Sequence, residues 1–239
     1  MAFFFCRFPG DRYLVEDIAH IVEMSLEVDS IRVSFAGRAV LSDVCLRCEQ
    51  GEIIGLFGLN GSGKTTFFDV VFGARRAEGA FVRIDGRPVL GRAFATRKIA
   101  YLSQCNFIPD RLRVNSLPGK YGMDAEAFFA DDLLKTMRNR KVSQLSGGEL
   151  RYLEICLILQ MDVRYVLLDE PFNGLSPLNV ERVQENILRA ARTKGIVLAD
   201  HNYREVLRLA TRSVFLSDGI MREVKDPKEL AFYYGAQGE

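Results

Sequence analysis

The sequence predicts an α/β domain: a mainly parallel sheet flanked by helices, with a small antiparallel β part and a short helical insert. Three observations predict it. Short β-branched runs that end at Gly or Asp alternate with helix-length segments along the chain, the pattern by which a parallel sheet acquires covering helices. Glu52–Phe57 and Tyr165–Leu168 are continuous apolar runs rather than alternating ones, as in strands buried on both faces. The first of them leads straight into a glycine-rich segment and then a helical stretch, an order that places a ligand at the end of a strand.

The elements follow in order. Residues 1–23 stand apart from the pattern, as a docking segment, a disordered terminus or a stretch ahead of a true start at Met24, which leaves 24–239 as the domain proper. From Met24, MSLEVDSIRVSF begins the β pattern. Lys64–Phe72 reads as a helix that Gly73 terminates. In Gly79–Pro88, Asp85-Gly86 follows a β-type run, which is a hairpin signal. A helical insert spans about residues 107–150. Within it, Asp124–Lys141 is expected as one helix, with an Asp N-cap, apolar Phe128, Phe129, Leu133, Leu134 and Met137, and a basic end. Ser176-Pro177 opens a helix with Pro at its first position, and Gly195 closes it before the strand IVLAD.

Composition narrows the function. With 239 residues and 48% hydrophobic content the chain can bury a sizeable core. The balance of 32 Lys+Arg against 31 Asp+Glu gives a net charge of +1, so no field of one sign advertises a nucleic acid partner. Cys6, Cys45, Cys48, Cys105 and Cys156 are odd in number and scattered, unlike a disulfide framework, and fit a reducing compartment. Cys45 and Cys48 form a single CxxC with no second pair, and on a strand they face opposite ways, so zinc is not expected. Charged residues interrupt every hydrophobic run below the length that spans a bilayer, so a membrane role must come through a partner. The apolar opening MAFFFCRF is followed by Pro9, Gly10 and Asp11, without the small-residue cleavage pattern of a signal peptide.

Three segments carry chemistry. Gly58-Leu59-Asn60-Gly61-Ser62-Gly63-Lys64-Thr65 fits G-x-x-x-x-G-K-[ST], in which glycines let backbone N–H groups converge on phosphate oxygens at a helix N-terminus. Lys64 would reach the β- and γ-phosphates and Thr65 would ligate Mg²⁺, with Thr66 beside them on the nucleotide. The pattern alone arises by chance in about one chain of this length in a hundred; its place between a buried strand and a helix is what gives it weight. Tyr165–Leu168 delivers Asp169 and Glu170 at a strand end, where Asp169 suits the Mg²⁺ shell and Glu170 could polarise the attacking water. Leu145-Ser146-Gly147-Gly148-Glu149 is a second glycine-rich turn at the head of a helix; read alone, it is either a helix cap or a second phosphate-binding device.

In this order the motifs resemble the ATP-binding cassette family, from about Val28 to about Val224. The resemblance rests on the phosphate loop at Gly58–Thr65, Gln104 after KIAYLS, LSGGE, LLDEP with Asp169 and Glu170, and His201 after IVLAD. It implies a phosphate-loop NTPase fold and an ATP-binding and ATP-hydrolysing transporter subunit using ATP and Mg²⁺. It also implies a homodimer in which each ATP lies between the phosphate loop of one copy and Ser146, Gly147 and Gly148 of the other. By the same resemblance Phe35 stacks on adenine, although a strand Phe can equally be core. Gln104 touches Mg²⁺ or the attacking water, and His201 contacts the γ-phosphate and helps hold Glu170. The implied partner is a separate transmembrane permease, which would keep the subunit cytoplasmic and peripheral to the inner face of a membrane.

The sequence also departs from the family. Ser176 stands where the family usually has Asp after LLDEP, so a hydroxyl replaces a charge in coupling across the dimer. Leu150, Tyr152 and Leu157 occupy positions where Gln or Arg is common, and the insert between Gln104 and Leu145 is short. Likeness of LLDEPFNGLSP and ADHNYREV to lipopolysaccharide-export and branched-chain amino acid cassettes is loose and assigns no cargo. One alternative is a soluble cassette ATPase without a membrane partner, acting as an assembly scaffold or on nucleic acid. Another is an unrelated phosphate-loop kinase or GTPase, against which LSGGE, His201 and the absence of N-K-x-D speak.

Overall fold

A computed structural model describes residues 24–235. The expected N-terminal extension, residues 1–23, lies outside them. In chain order the elements are β1 (Ser25–Phe35), β2 (Arg38–Glu49), β3 (Ile53–Phe57), α1 (Lys64–Phe72), β4 (Gly79–Ile84), β5 (Arg87–Pro88) and β6 (Ile99–Leu102). Then come the helices α2 (Leu117–Lys120), α3 (Ala125–Phe128), α4 (Asp132–Met137) and α5 (Gly147–Gln160). Alternation resumes with β7 (Tyr165–Asp169), α6 (Pro177–Ala191), β8 (Gly195–Ala199), α7 (Tyr203–Leu209), β9 (Arg212–Ser217), β10 (Ile220–Glu223) and α8 (Pro227–Gly235).

The strands form two sheets. One is antiparallel, in the order β2-β1-β4-β5; the other has six strands in the order β10-β9-β3-β8-β7-β6. In the larger sheet β9, β3, β8, β7 and β6 run parallel, and only β10 is antiparallel to its neighbour. Strands β3, β7 and β8 are buried at every residue, which is why their sequences show no polar alternation. Their side chains still alternate between two cores. Ile54, Leu56, Tyr165, Leu167 and Val197 pack with α1 and the antiparallel sheet. Ile53, Phe57, Val166, Leu168, Ile196 and Leu198 pack with α5, α6, α7 and the helical insert. A period of two thus sends one strand's residues into both layers.

Local signals place most elements where the sequence puts them. Helix α1 covers the expected residues and ends at Gly73, whose φ of 90° closes it. Asp85 and Gly86 both take positive φ, 54° and 70°, at the β4–β5 turn, as a type I′ hairpin requires. Cys45 is exposed and Cys48 buried, on opposite faces of β2.

Two expectations are corrected. Asp124–Lys141 is not one helix but α3 and α4, each with its own aspartate cap: Asp124 accepts from the Glu126 amide, and Asp131 accepts from the Leu134 amide at 2.9 Å. Asp131 also accepts the Tyr152 hydroxyl at 2.7 Å, so its carboxylate competes with the helical backbone and restarts the helix. Gly195 does not close α6, which ends at Ala191; it is the first residue of β8. A Cβ there would lie 2.6 Å from the Glu49 carbonyl oxygen, so this glycine serves the crossing of β2 over β8.

Candidate active site

Four neighbouring parallel strands end on one side of the sheet, and each hands over to a functional segment. Strand β3 leads into Gly58–Thr65, β6 into Ser103 and Gln104, β7 into Asp169 and Glu170, and β8 into Asp200 and His201. Ligands of open α/β sheets bind at this end.

The glycine loop is shaped by contacts that exclude side chains. At Gly58, φ is 152°, and a Cβ would lie 2.5 Å from the Leu216 carbonyl oxygen and 2.6 Å from Ser62 Oγ. Gly63 precedes α1 at φ 105° and supplies no capping side chain, so the first amides of α1 face the cavity without a side-chain acceptor. Lys64 donates from Nζ to the carbonyls of Gly58 at 2.7 Å and Leu59 at 3.1 Å. Burial pulls its pKa down, opposed by the charges of Asp169, Glu170 and Asp200. A cavity of about 310 Å³ opens here, lined by Phe35, Asn60, Gly61, Gly63, Lys64, Thr65, Thr66, Gln104 and Glu170. Leu59, Ser62 and Gly58 do not line it. Phe35 is 44% exposed, with the Arg75 guanidinium 5.2 Å from its ring centre, so it is not core.

Beside the loop the hydroxyl of Thr65 donates to Asp169 Oδ2 at 2.7 Å and receives Gln104 Nε2 at 3.1 Å. Asp169 is 1% exposed. Burial raises its pKa, offset in part by the hydrogen bonds of Thr65 and Gln104. Among the described residues no donor reaches its Oδ1. A buried carboxylate oxygen without a partner, next to a threonine hydroxyl, fits a hard divalent cation that takes oxygen ligands.

Glu170 sits at φ 50°, which an L-residue rarely adopts. Its amide donates to the Ala199 carbonyl at 2.7 Å, and its carbonyl accepts from Arg151 at 2.9 Å. These contacts hold the chain reversal that puts Glu170 on the border of two cavities: the one above and a second of about 260 Å³. Gln104, Gly147, Gly148, Arg151, Asn173 and Gly174 line the second. Ser146 caps α5 in a reciprocal box, its Oγ accepting the Glu149 amide at 3.2 Å and its amide donating to Glu149 Oε2 at 2.7 Å. Gly148 allows α5 to approach the 173–174 turn: a Cβ there would stand 2.9 Å from the Gly174 carbonyl oxygen. The two glycine-rich turns of one chain therefore open into different cavities.

His201 is not drawn into either cavity. It is exposed, its Nδ1 lies 3.2 Å from Asp200 Oδ1, and it borders a shallow cavity with Asn202, Tyr203, Arg204 and Tyr234.

Sequence reasoning missed the residues that hold these segments together. Arg151 and Glu154, 5% and 0% exposed, lie on α5, which is buried on every side from Leu150 to Leu159. Arg151 donates to the carbonyls of Ser103, Asp169 and Glu170. Glu154 accepts the amides of Phe107 and Ile108 and pairs with Arg151 at 3.8 Å. The signal was present: two opposite charges three positions apart in the otherwise apolar stretch from Leu150 to Leu159. Asp200 accepts the Phe172 amide at 2.9 Å and ties the turn after β7 to β8; like Asp169 it ends a buried strand. Leu150, Tyr152 and Leu157, where the resemblance expected polar residues, are all buried in the core.

A family model described as ABC transporter matches residues 41–173. The lipopolysaccharide export system ATP-binding protein LptB of Acidithiobacillus ferridurans is 31% identical over 221 residues, covering 86% of this chain and 91% of that protein. LptB of Escherichia coli is 32% identical over 224 residues, with 86% and 92% covered. Among solved structures, an ATP-binding subunit of an ABC transporter superposes with a TM-score of 0.75 at 22% identity, covering 90% of this chain and 95% of that one. The ADP conformation of an ATP-binding cassette gives 0.70 at 19% identity, covering 89% and 95%.

Proposed function

Because the chain belongs to the ATP-binding cassette transporter family, as an ATP-binding and ATP-hydrolysing subunit, we propose that it works as a homodimer with two Mg-ATP molecules between the copies. The observation that carries this reading is the separation of the two glycine-rich turns. Gly61, Gly63 and Lys64 line one cavity, and Gly147 and Gly148 line the other. A nucleotide touched by both turns then lies between the phosphate loop of one copy and the α5 N-terminus of the second, each offering backbone N–H groups to phosphate oxygens.

In that arrangement Phe35 stacks on the base, and Lys64 exchanges its two carbonyl acceptors for the β- and γ-phosphates. Thr65, Asp169 and Gln104 hold Mg²⁺, which when bound neutralises charge developing on the phosphates. Glu170 orients and deprotonates the attacking water. His201 and the Ser146 turn of the second copy reach the γ-phosphate only on closure.

No helix among the described residues is long and apolar enough to cross a membrane. Membership of the transporter family supports a separate membrane permease that takes up the work of closure, with the subunit on the cytoplasmic face. The relatives named for lipopolysaccharide export make an exporter the first class of permease to test.

The test is the oligomeric state of purified Glu170→Gln with and without Mg-ATP, measured by light scattering. The reading expects bound ATP without hydrolysis and an ATP-dependent shift from monomer to dimer. A variant that binds ATP and stays monomeric in the presence of Mg²⁺ would remove the sandwich.

A further inference from the structure

The C-terminal helix reaches the start of the phosphate loop. Tyr234 on α8 accepts the Gly58 amide on its hydroxyl oxygen at 3.0 Å and donates that hydroxyl to the Gly58 carbonyl at 3.2 Å. One side chain thereby serves both polar groups of a single glycine whose tight surroundings admit no side chain. The Gly58 carbonyl is also the nearer of the two acceptors of Lys64 Nζ. The opposite face of the device is aromatic: the Tyr234 ring stacks on Tyr203 at 4.5 Å and 8°. The Tyr203 amide donates to the His201 carbonyl at 3.0 Å. One phenol ring thus bridges the segment after β3 and the segment after β8.

The placement of Tyr234 does not depend on its hydroxyl. Leu230 is fully buried, Tyr233 stacks on Phe215 at 4.5 Å, and the Arg222 guanidinium lies over both rings and donates to the Tyr233 hydroxyl. Helix α8 is docked by these neighbours. Burial also raises the pKa of Tyr234, against the hydrogen bond to Gly58, so the hydroxyl stays protonated and able to donate.

We infer that Tyr234 is a positioning residue for ATP binding: it fixes the Gly58 peptide from which Lys64 departs to meet phosphate, and it ties that peptide to the turn bearing His201. The inference rests on the nucleotide site proposed above. Two of the three N–H donors of Lys64 are on the Gly58 and Leu59 carbonyls, so to hold two phosphates at once it must release at least one carbonyl. When that carbonyl is Gly58, it keeps the Tyr234 hydroxyl as its donor, so a buried acceptor is not left unpaired and the release costs less. Without the hydroxyl, the Gly58 amide and carbonyl both lose a partner at the moment the loop must keep its shape.

The experiment measures the Kd for ATP and the steady-state KM and kcat of the full chain and three variants, with thermal melting alongside. Tyr234→Phe keeps the ring and its stack, and should weaken ATP binding about 5- to 10-fold, raising KM more than it lowers kcat, with a fall in Tm of only about 2–4 °C. Tyr233→Phe removes the neighbouring hydroxyl and should leave Kd and KM as they were. Tyr203→Ala should weaken ATP binding by itself, and the double variant Tyr203→Ala/Tyr234→Phe should be less impaired than the product of the singles. If the unsubstituted chain fails to bind ATP, the site itself is misassigned. If it binds ATP and Tyr234→Phe matches it, or Tyr233→Phe loses as much, the positioning role is overturned; multiplicative singles would remove the tie to Tyr203.

Discussion

A buried aspartate stands at each end of strand β7, Asp85 from the β4–β5 turn against its start and Asp169 at its finish, and the two are treated in opposite ways. At its start Asp85, 4% exposed, accepts the Tyr165 hydroxyl at 2.8 Å on one oxygen. Its other oxygen takes Lys98 at 2.8 Å and Arg164 at 2.6 Å. Burial alone would raise its pKa, but the hydrogen bonds of Lys98 and Tyr165 and the two cations carry it below the ordinary carboxylate range. At the far end Asp169 is as deeply buried, burial raises its pKa, and its Oδ1 stands without a donor, while Lys64, whose charge acts on it, donates to two carbonyls. The first cluster is closed and joins the antiparallel sheet to the parallel one. The second is open toward a cavity. At Asp85 every oxygen is satisfied, as in a structural clamp; at Asp169 an oxygen is held in reserve beside a cavity, which suits a ligand, whereas the other buried carboxylate oxygen without a hydrogen bond, Glu154 Oε2, has the Arg151 guanidinium 3.8 Å away.

Substitutions at the two ends should separate these roles. Asp169→Asn should lower ATPase turnover by about 10²- to 10³-fold while leaving Tm unchanged or slightly raised, because it removes a buried charge. A large drop in Tm would show that Asp169 is a second structural clamp. Asp85→Asn should do the reverse, costing about 2–3 kcal/mol in urea unfolding, since Lys98 and Arg164 lose their anion but keep partial solvation. Turnover per folded molecule should stay near that of the unsubstituted chain.

The pH dependence of stability sharpens the contrast. Asp85 titrates lower in the folded chain than in the unfolded one. Its contribution is present above the unfolded value of about 3.9 and lost as pH falls through the folded value. Asp169 titrates higher in the folded chain, so acidification through its raised value should relieve strain and add stability until the unfolded value is reached. In nucleotide-free urea titrations, Asp85→Asn should flatten the acid loss and Asp169→Asn the preceding gain. Identical profiles for both variants would erase the distinction.

Smaller effects probe the link between the ends. Glu154→Gln keeps an acceptor for the Phe107 and Ile108 amides but removes the anion beside Arg151, and should cost about 1–2 kcal/mol with a severalfold fall in turnover. Ser176→Asp should change stability by no more than about 0.5 kcal/mol, because Ser176 is the exposed N-cap of α6 and Asp caps as well as Ser does. Its effect should appear in the cooperativity of hydrolysis. Unchanged rate and unchanged cooperativity would leave Ser176 without a part in coupling.

The pattern of what the sequence revealed follows the range of the forces involved. The strand, glycine loop and helix around Gly58–Thr65, the Gly73 stop and the Asp85-Gly86 turn were all legible, because each depends on backbone preferences of adjacent residues. The break at Asp131 was not, since it needs Tyr152 from another helix. Nor was the role of Gly195, which answers to Glu49 across a sheet crossing. At the site, the motifs named Gly61, Gly63, Lys64, Thr65, Gln104, Gly147, Gly148 and Glu170, which line the two cavities, and also Gly58, Leu59, Ser62 and His201, which do not. Arg151 and Glu154 stood out only as opposite charges three positions apart, and they, Asp200 and Tyr234 bind backbone atoms distant in sequence, to which no local spacing points.

Helix α5 has one further consequence. Its N-terminus belongs to the Gly147–Gly148 cavity, Arg151 grips the carbonyls after β7, and Glu154 grips the amides at the entrance to the insert. With no solvent side from Leu150 to Leu159, it has no room to roll or slide by itself. It is a tie-rod: a push on its tip by the second copy of the proposed dimer would move the Glu170 turn and the mouth of the insert together, as one piece.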